Sequence, residues 1–170
     1  MELKTILAAL DLAGECDEVL ARAVQLAGEH GAWLVLLHVI ETEGLSHAAA
    51  ASGQSESDLR DQLRQQAAAR IDDSVIELGR TRHTDVRVEF GSPHDVITQV
   101  ADERSADLIV LGPGQSPARS LREKVLGSTA DRVIRTSSVN RPGFTGGQNS
   151  RRIARYGTCT KEEDLEAVFA

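Results

Sequence analysis

Two glycine-bearing breaks, Gly112-Pro113-Gly114 and Gly127-Ser128-Thr129, bracket a stretch whose residue types suit anion binding. Glycines let a backbone turn closely around a ligand and aim its N–H groups inward. A helix N-terminus adds unpaired N–H donors and roughly half a positive charge. Gly127-Ser128-Thr129 stands directly ahead of an apolar-periodic run, so Ser128 and Thr129 carry hydroxyls to such a helix start. The same residues also fit two ordinary turns, with Ser128 as an N-cap. The residues alone leave both readings open.

The elements that must position these breaks follow from hydrophobic pattern. Thr5 to Leu10 and Trp33 to Ile40 are continuous apolar runs and read as buried strands, as does Leu108 to Leu111. Val86, Val88 and Phe90 alternate with Arg87 and Glu89, which predicts a half-exposed strand. Between them, Val19, Leu20, Ala23, Val24, Leu26 and Ala27 form one helical stripe that Gly31 stops. Leu59, Leu63, Ala67, Ile71, Val75 and Leu78 form a longer stripe. Gly91-Ser92-Pro93 opens a helix carrying Val96, Ile97, Val100 and Ala101, with Pro93 suited to the first turn. The Ala-, Ser- and Gly-rich "ETEGLSHAAAASGQSES" has little to anchor it and reads as a mobile excursion.

Strand and helix therefore alternate four times, which predicts an α/β fold. It is a doubly wound parallel sheet in a single Rossmann-like domain, spanning residues 1–139. Ligands of such sheets sit beyond the carboxyl ends of the strands where the order reverses. Asp11, His38-Val39 and the glycine loop after the fourth strand should gather at that edge. Residues 140–170 lack a strand-like run and read as an atypical tail of low order. Within it, Thr160 and Glu163 fit a capping box for a short final helix.

Composition agrees with this architecture. The chain has 170 residues, of which 41% are hydrophobic but only 3% aromatic, so the core must be aliphatic. The net charge of −7 repels phosphate backbones and argues against nucleic-acid partners. Cys16 and Cys159 belong to no C-x-x-C or Cys/His cluster, as expected of cytosolic thiols. The start "MELKTILAALD" is too short and too acidic for a signal peptide, and no apolar run approaches a membrane span of about 20 residues. A cytoplasmic protein without membrane contact is expected.

"KTILAALD", "LLHVI", "FGSPHDVITQVADERSADLIVLG" and "LGSTADRVIRTSS", in that order, resemble the universal stress protein family over about residues 3 to 138. The resemblance implies an adenine nucleotide alpha hydrolase-like fold and, in many members, ATP bound with or without magnesium. It implies that Asp11 helps hold the adenosine and that the backbone of Val39 meets the adenine ring. Gly112, Gly114, Gly127, Ser128 and Thr129 would hold the phosphates. On the residues alone, Asp11 fits equally an N-cap of the first helix, and Val39 a core valine. The family's ATP pattern is Gly, two residues, Gly, nine residues, then Gly with Ser or Thr. Gly127-Ser128 matches its end, but the middle glycine is absent in both registers. Pro117 stands there if Gly114 is first, and Gln115 if Gly112 is first. Pro117 has no N–H to give. Arg119 and Arg122 lie between the glycines, where they either neutralise phosphate or face solvent.

Dedicated catalytic signatures are absent from the sequence. There is no G-x-x-x-x-G-K-[ST], and no G-x-G-x-x-G follows the first strand. "GQSPA" misses the nucleophile elbow because Ala118 replaces its last glycine. The five histidines show no metal-ligand spacing, and His94-Asp95 at a helix start reads as a capping feature. The expected role is a nucleotide-binding stress regulator with at most slow hydrolysis of bound ATP. The alternative is a nucleotide-independent interaction module of the same fold. The resemblance also implies a homodimer, although the family's final edge strand is not recognisable in "NRPGFTGG". No protein partner is named by the residues.

Overall fold

Aliphatic runs that cannot face water on either side are stable only inside a sheet covered on both faces. The computed structural model places them there, and it describes residues 3–12, 17–79, 83–112, 128–136 and 152–155. In chain order the elements are β1 (Thr5–Ala9), α1 (Asp17–His30), β2 (Trp33–Ile40), α2 (Leu45–Ser52) and α3 (Glu56–Leu78). They continue as β3 (Thr84–Phe90), α4 (Pro93–Glu103), β4 (Leu108–Leu111), α5 (Ser128–Thr136) and β5 (Arg152–Arg155). The strand order is β3-β2-β1-β4-β5, and every neighbouring pair is parallel.

The period-two alternation of each strand divides its side chains between two cores. Ile6, Ala8, Leu34, Leu36, Leu108 and Val110 pack with Leu20 and Ala23 of α1 and Ile71 and Val75 of α3. Leu7, Val35, Leu37, Ile109 and Leu111 pack on the other face with Ile97, Val100 and Ala101 of α4 and Ala130 and Val133 of α5. β1 lies at the centre, with Leu7 level with Val35 on one side and Ile109 on the other. Sequence order reverses beside it, between β1 and β4.

Local chemistry sets the ends of the elements. Ser55 caps α3 by accepting the Asp58 N–H at 3.1 Å. Arg60 and Arg64 of α3 each place a guanidinium 5.2 Å from the centre of the Phe90 ring, at the end of β3. The outer strand β3 carries charge along its edge, where Arg87 joins Glu89 at 2.8 Å and Glu103 of α4 at 3.2 Å. Such charges discourage edge-to-edge pairing. Gln99, then Arg87, hydrogen-bond the Glu103 carboxylate and hold its pKa below the ordinary value.

Two expectations are corrected. The excursion after β2 contains a helix, α2, seated by the buried side chains of Leu45 and Ala49. Gly44 (φ +84°) and Gly53 (φ +70°) flank it in the left-handed conformation that glycine adopts without strain. The chain beyond Val139 is also not free of strands. Arg152–Arg155 pairs in parallel with β4, from Leu108 opposite Arg152 to Leu111 opposite Arg155. The short helix expected near Leu165 lies outside the described residues.

The amino end of β1 is secured by one carboxylate. Asp107, just before β4, accepts the Lys4 N–H at 2.8 Å and the Thr5 N–H at 2.9 Å through the same oxygen, Oδ2. Asp107→Ala is expected to destabilise the fold by about 1.5–3 kcal/mol, the range for hydrogen bonds to a charged group. An unchanged chemical-denaturation midpoint would contradict that role. Gly91, between β3 and α4, has φ +148°, and a Cβ there would meet Val96 Cγ2 at 3.0 Å. Gly91→Ala is therefore expected to lower stability by roughly 1–3 kcal/mol, read in the same unfolding experiment.

Candidate functional site: a cleft at the carboxyl edge

The reversal between β1 and β4 leaves a gap at the carboxyl edge, because the chains leaving the two strands diverge. There the structure has a cleft of about 160 Å³. Its walls come from five separate segments. Ala9, Leu10 and Asp11 follow β1; Leu37, His38, Val39 and Glu41 close β2. Pro93 and Ile97 belong to α4, Leu111 and Gly112 end β4, and Thr129 and Ala130 belong to the first turn of α5. Leu37, Ile97, Leu111 and Ala130 also belong to the core on that face, so the cleft floor is continuous with it. An apolar floor with a few polar groups at the rim is the usual make-up of a small-molecule site.

Two hydrogen bonds fix the floor. The Leu10 N–H donates to the Leu37 carbonyl at 2.8 Å. His38 Nδ1 lies 2.9 Å from the Leu10 carbonyl oxygen. A carbonyl can only accept, so Nδ1 carries the proton in this contact. The ring thus ties the chain leaving β1 to β2 and sets where Asp11 emerges. Asp11 is exposed and lies at the cleft, ahead of α1.

The four sequence-predicted residues Asp11, Val39, Gly112 and Thr129 meet at this cleft. Gly112 has a packing role as well, since a Cβ at that position would lie 3.1 Å from Val19 Cγ2 of α1. Ser128 is the first residue of α5, which puts it at the helix N-terminus next to Thr129. Gly114, Gln115, Pro117, Arg119, Arg122 and Gly127 lie outside the described residues. His38, expected at this edge with Val39, lines the cleft, and Glu41 joins it; Pro93 and Ile97 were not singled out as lining residues. Their signal was present in the helix opened by Gly91-Ser92-Pro93, whose start has to lie at the carboxyl edge of β3.

What this arrangement can do follows from its groups. Leu37, Val39, Ile97 and Leu111 offer an apolar slot for a flat ring. Asp11 and Glu41 provide carboxylates at the rim, suited to hydroxyl or amino donors. The N-terminus of α5 offers N–H donors and a favourable field to an anion. Among the described residues, no group of three or more His, Cys, Asp or Glu side chains could hold a metal ion. No helix among them is long and apolar enough to cross a membrane.

Comparison with known proteins agrees with the geometry. The sequence model of the universal stress protein family matches residues 2–140. Universal stress protein A homolog 1 of Coxiella burnetii is 26% identical over 147 residues, covering 82% of this chain and 94% of that protein. A universal stress protein solved in complex with cAMP superposes with a TM-score of 0.60 at 19% identity, over 94% of this chain and 100% of the other. A universal stress protein from Archaeoglobus fulgidus, solved in complex with dAMP, superposes with a TM-score of 0.55 at 20% identity, over 91% of this chain and 98% of the other. At these identities the structural likeness speaks for the fold alone. The family match spans most of the chain: this protein belongs to the universal stress protein family.

Proposed function

We propose that the cleft binds an adenine nucleotide, ATP in particular, and that the protein acts as a ligand-responsive regulator in the cytoplasm. One observation carries this reading. Asp11, Val39, Gly112 and Thr129 come from four separate segments and line a single cleft at the topological switch point. The purine would lie in the apolar slot against Val39, with its sugar toward Asp11. Phosphates would extend to Ser128 and Thr129, where the α5 N-terminus favours negative charge. The 160 Å³ between the described walls suits a ring system rather than a whole nucleotide. Pockets that bury larger ligands run to roughly 300–1,000 Å³. Magnesium arriving with ATP would be held chiefly by the phosphates and water. Solved relatives in complex with cAMP and dAMP support an adenine ligand class.

One sequence feature favours the alternative of a nucleotide-independent interaction or dimerisation module. The loop between Gly112 and Gly127 lacks the family's middle glycine in both registers. A homodimer remains part of both readings.

A thermal melt separates the two. With ATP at about 100 times its dissociation constant, binding adds roughly 2.7 kcal/mol to stability, and the midpoint rises. GTP at the same concentration should shift it less. Asp11→Ala should weaken ATP binding about tenfold or more, by losing a hydrogen bond to a charged acceptor. No shift with ATP at millimolar concentration, in folded protein, would leave the interaction module as the surviving reading.

A further inference from the structure

The first turn of α4 contains an arrangement that nucleotide binding does not use. Ser92 is the N-cap residue, with φ −76° and ψ 124°, yet its side chain makes no capping hydrogen bond. Its Oγ instead lies 2.8 Å from His94 Nδ1. His94 Nε2 lies 3.4 Å from Asp95 Oδ1, an ion-pair distance rather than a tight hydrogen bond. In the tautomer with Nδ1 unprotonated, the ring accepts from the Ser92 hydroxyl. A hydroxyl against an imidazole nitrogen is the pairing of a nucleophile with its base, and a carboxylate stands near the ring's other nitrogen.

The surroundings suit the same chemistry. Ser92 is exposed, while the His94 side chain is 22% exposed and held between its two partners. Pro93 and Ile97 line the cleft, and Ser92 directly precedes Pro93 in the chain. Pro93 has no N–H, and the Val96 N–H already donates to the Ser92 carbonyl at 3.0 Å. The amides of His94 and Asp95 have no carbonyl to reach within the helix, and they are the donors available to a developing oxyanion.

We propose that Ser92 is a nucleophilic serine with His94 as its base, open to acylation by activated esters that reach it over Pro93 and Ile97. Ser92 Oγ adds to the ester carbonyl carbon while its proton passes to His94 Nδ1. The bond from the carbonyl carbon to the leaving oxygen then breaks, and the alcohol or phenol departs with that electron pair. His94 returns the proton to the leaving group or to water. The product is an O-acyl serine, and nothing is oxidised or reduced. This inference does not rest on nucleotide binding.

The full chain treated with p-nitrophenyl acetate tests it, with adducts located by peptide mass mapping and the rate followed by phenolate release. The expected result is one acetyl group on Ser92, abolished by Ser92→Ala. His94→Gln should slow acylation by about tenfold or more, at the low end of general-base effects. Neither substitution should move the melting temperature appreciably, since no capping bond is lost at Ser92. Acetylation confined to His94 or to lysines would overturn the proposal. So would an unchanged rate in His94→Gln, or no adduct on Ser92.

Discussion

β1 has to be buried on both faces and paired on both sides, and the rest of the molecule is arranged around that requirement. Ile6, Leu7 and Ala8 are fully buried, with neighbours from β2 and β4 in register on either flank. Because β1 is central and the chain order reverses at it, α1 and α3 cover one face and α4 and α5 the other. The same reversal opens the carboxyl edge between β1 and β4. The cleft is therefore a consequence of how the core is wound, and its floor is core residues seen from above. Asp107 holds the amino end of β1 and the His38 ring holds its carboxyl end, so the strand that defines the cleft is pinned at both ends.

Much of this was legible in the sequence because the physics was local and strong. Uninterrupted runs such as Leu34 to Leu37 and Leu108 to Leu111 can only be doubly covered strands. The stripes of α1 and α4 contain all their buried residues, with Ile97, Val100 and Ala101 inside, while Val24, Leu26 and Val96 are only partly buried. Two elements were not legible. α2 has only Leu45 and Ala49 to bury, and its alanines and flanking glycines look like loop composition. β5 is Arg-Ile-Ala-Arg, a sequence with no strand pattern of its own. It becomes a strand because β4 offers a free backbone edge, a tertiary fact that periodicity does not carry.

The site divides in the same way. Asp11, Val39 and Gly112 could be placed from the rule that strand ends meet at the switch point, and Thr129 from the helix start after Gly127; the four meet at the cleft. The helix start after β3 brings Pro93 and Ile97 to the carboxyl edge, but their place in the lining depends on α4 lying over the cleft. Ser92 shows the limit of residue-type statistics. His94-Asp95 reads as a capping feature, but the His94 ring engages the Ser92 hydroxyl, and only side-chain geometry shows that. The β5 pairing also changes the view of the tail, which supplies the outer strand beside β4.

The central claim is that segments distant in sequence form one adenine-nucleotide site at the carboxyl edge. Titrating isotope-labelled protein with ATP while following backbone amide shifts by nuclear magnetic resonance tests it most directly. The account predicts that the largest changes fall together on Asp11, Val39, Gly112 and Thr129, and leave Trp33 and His83 at the start of β2 and β3 unmoved. Shifts scattered over the surface, or none at saturating ATP, would contradict it.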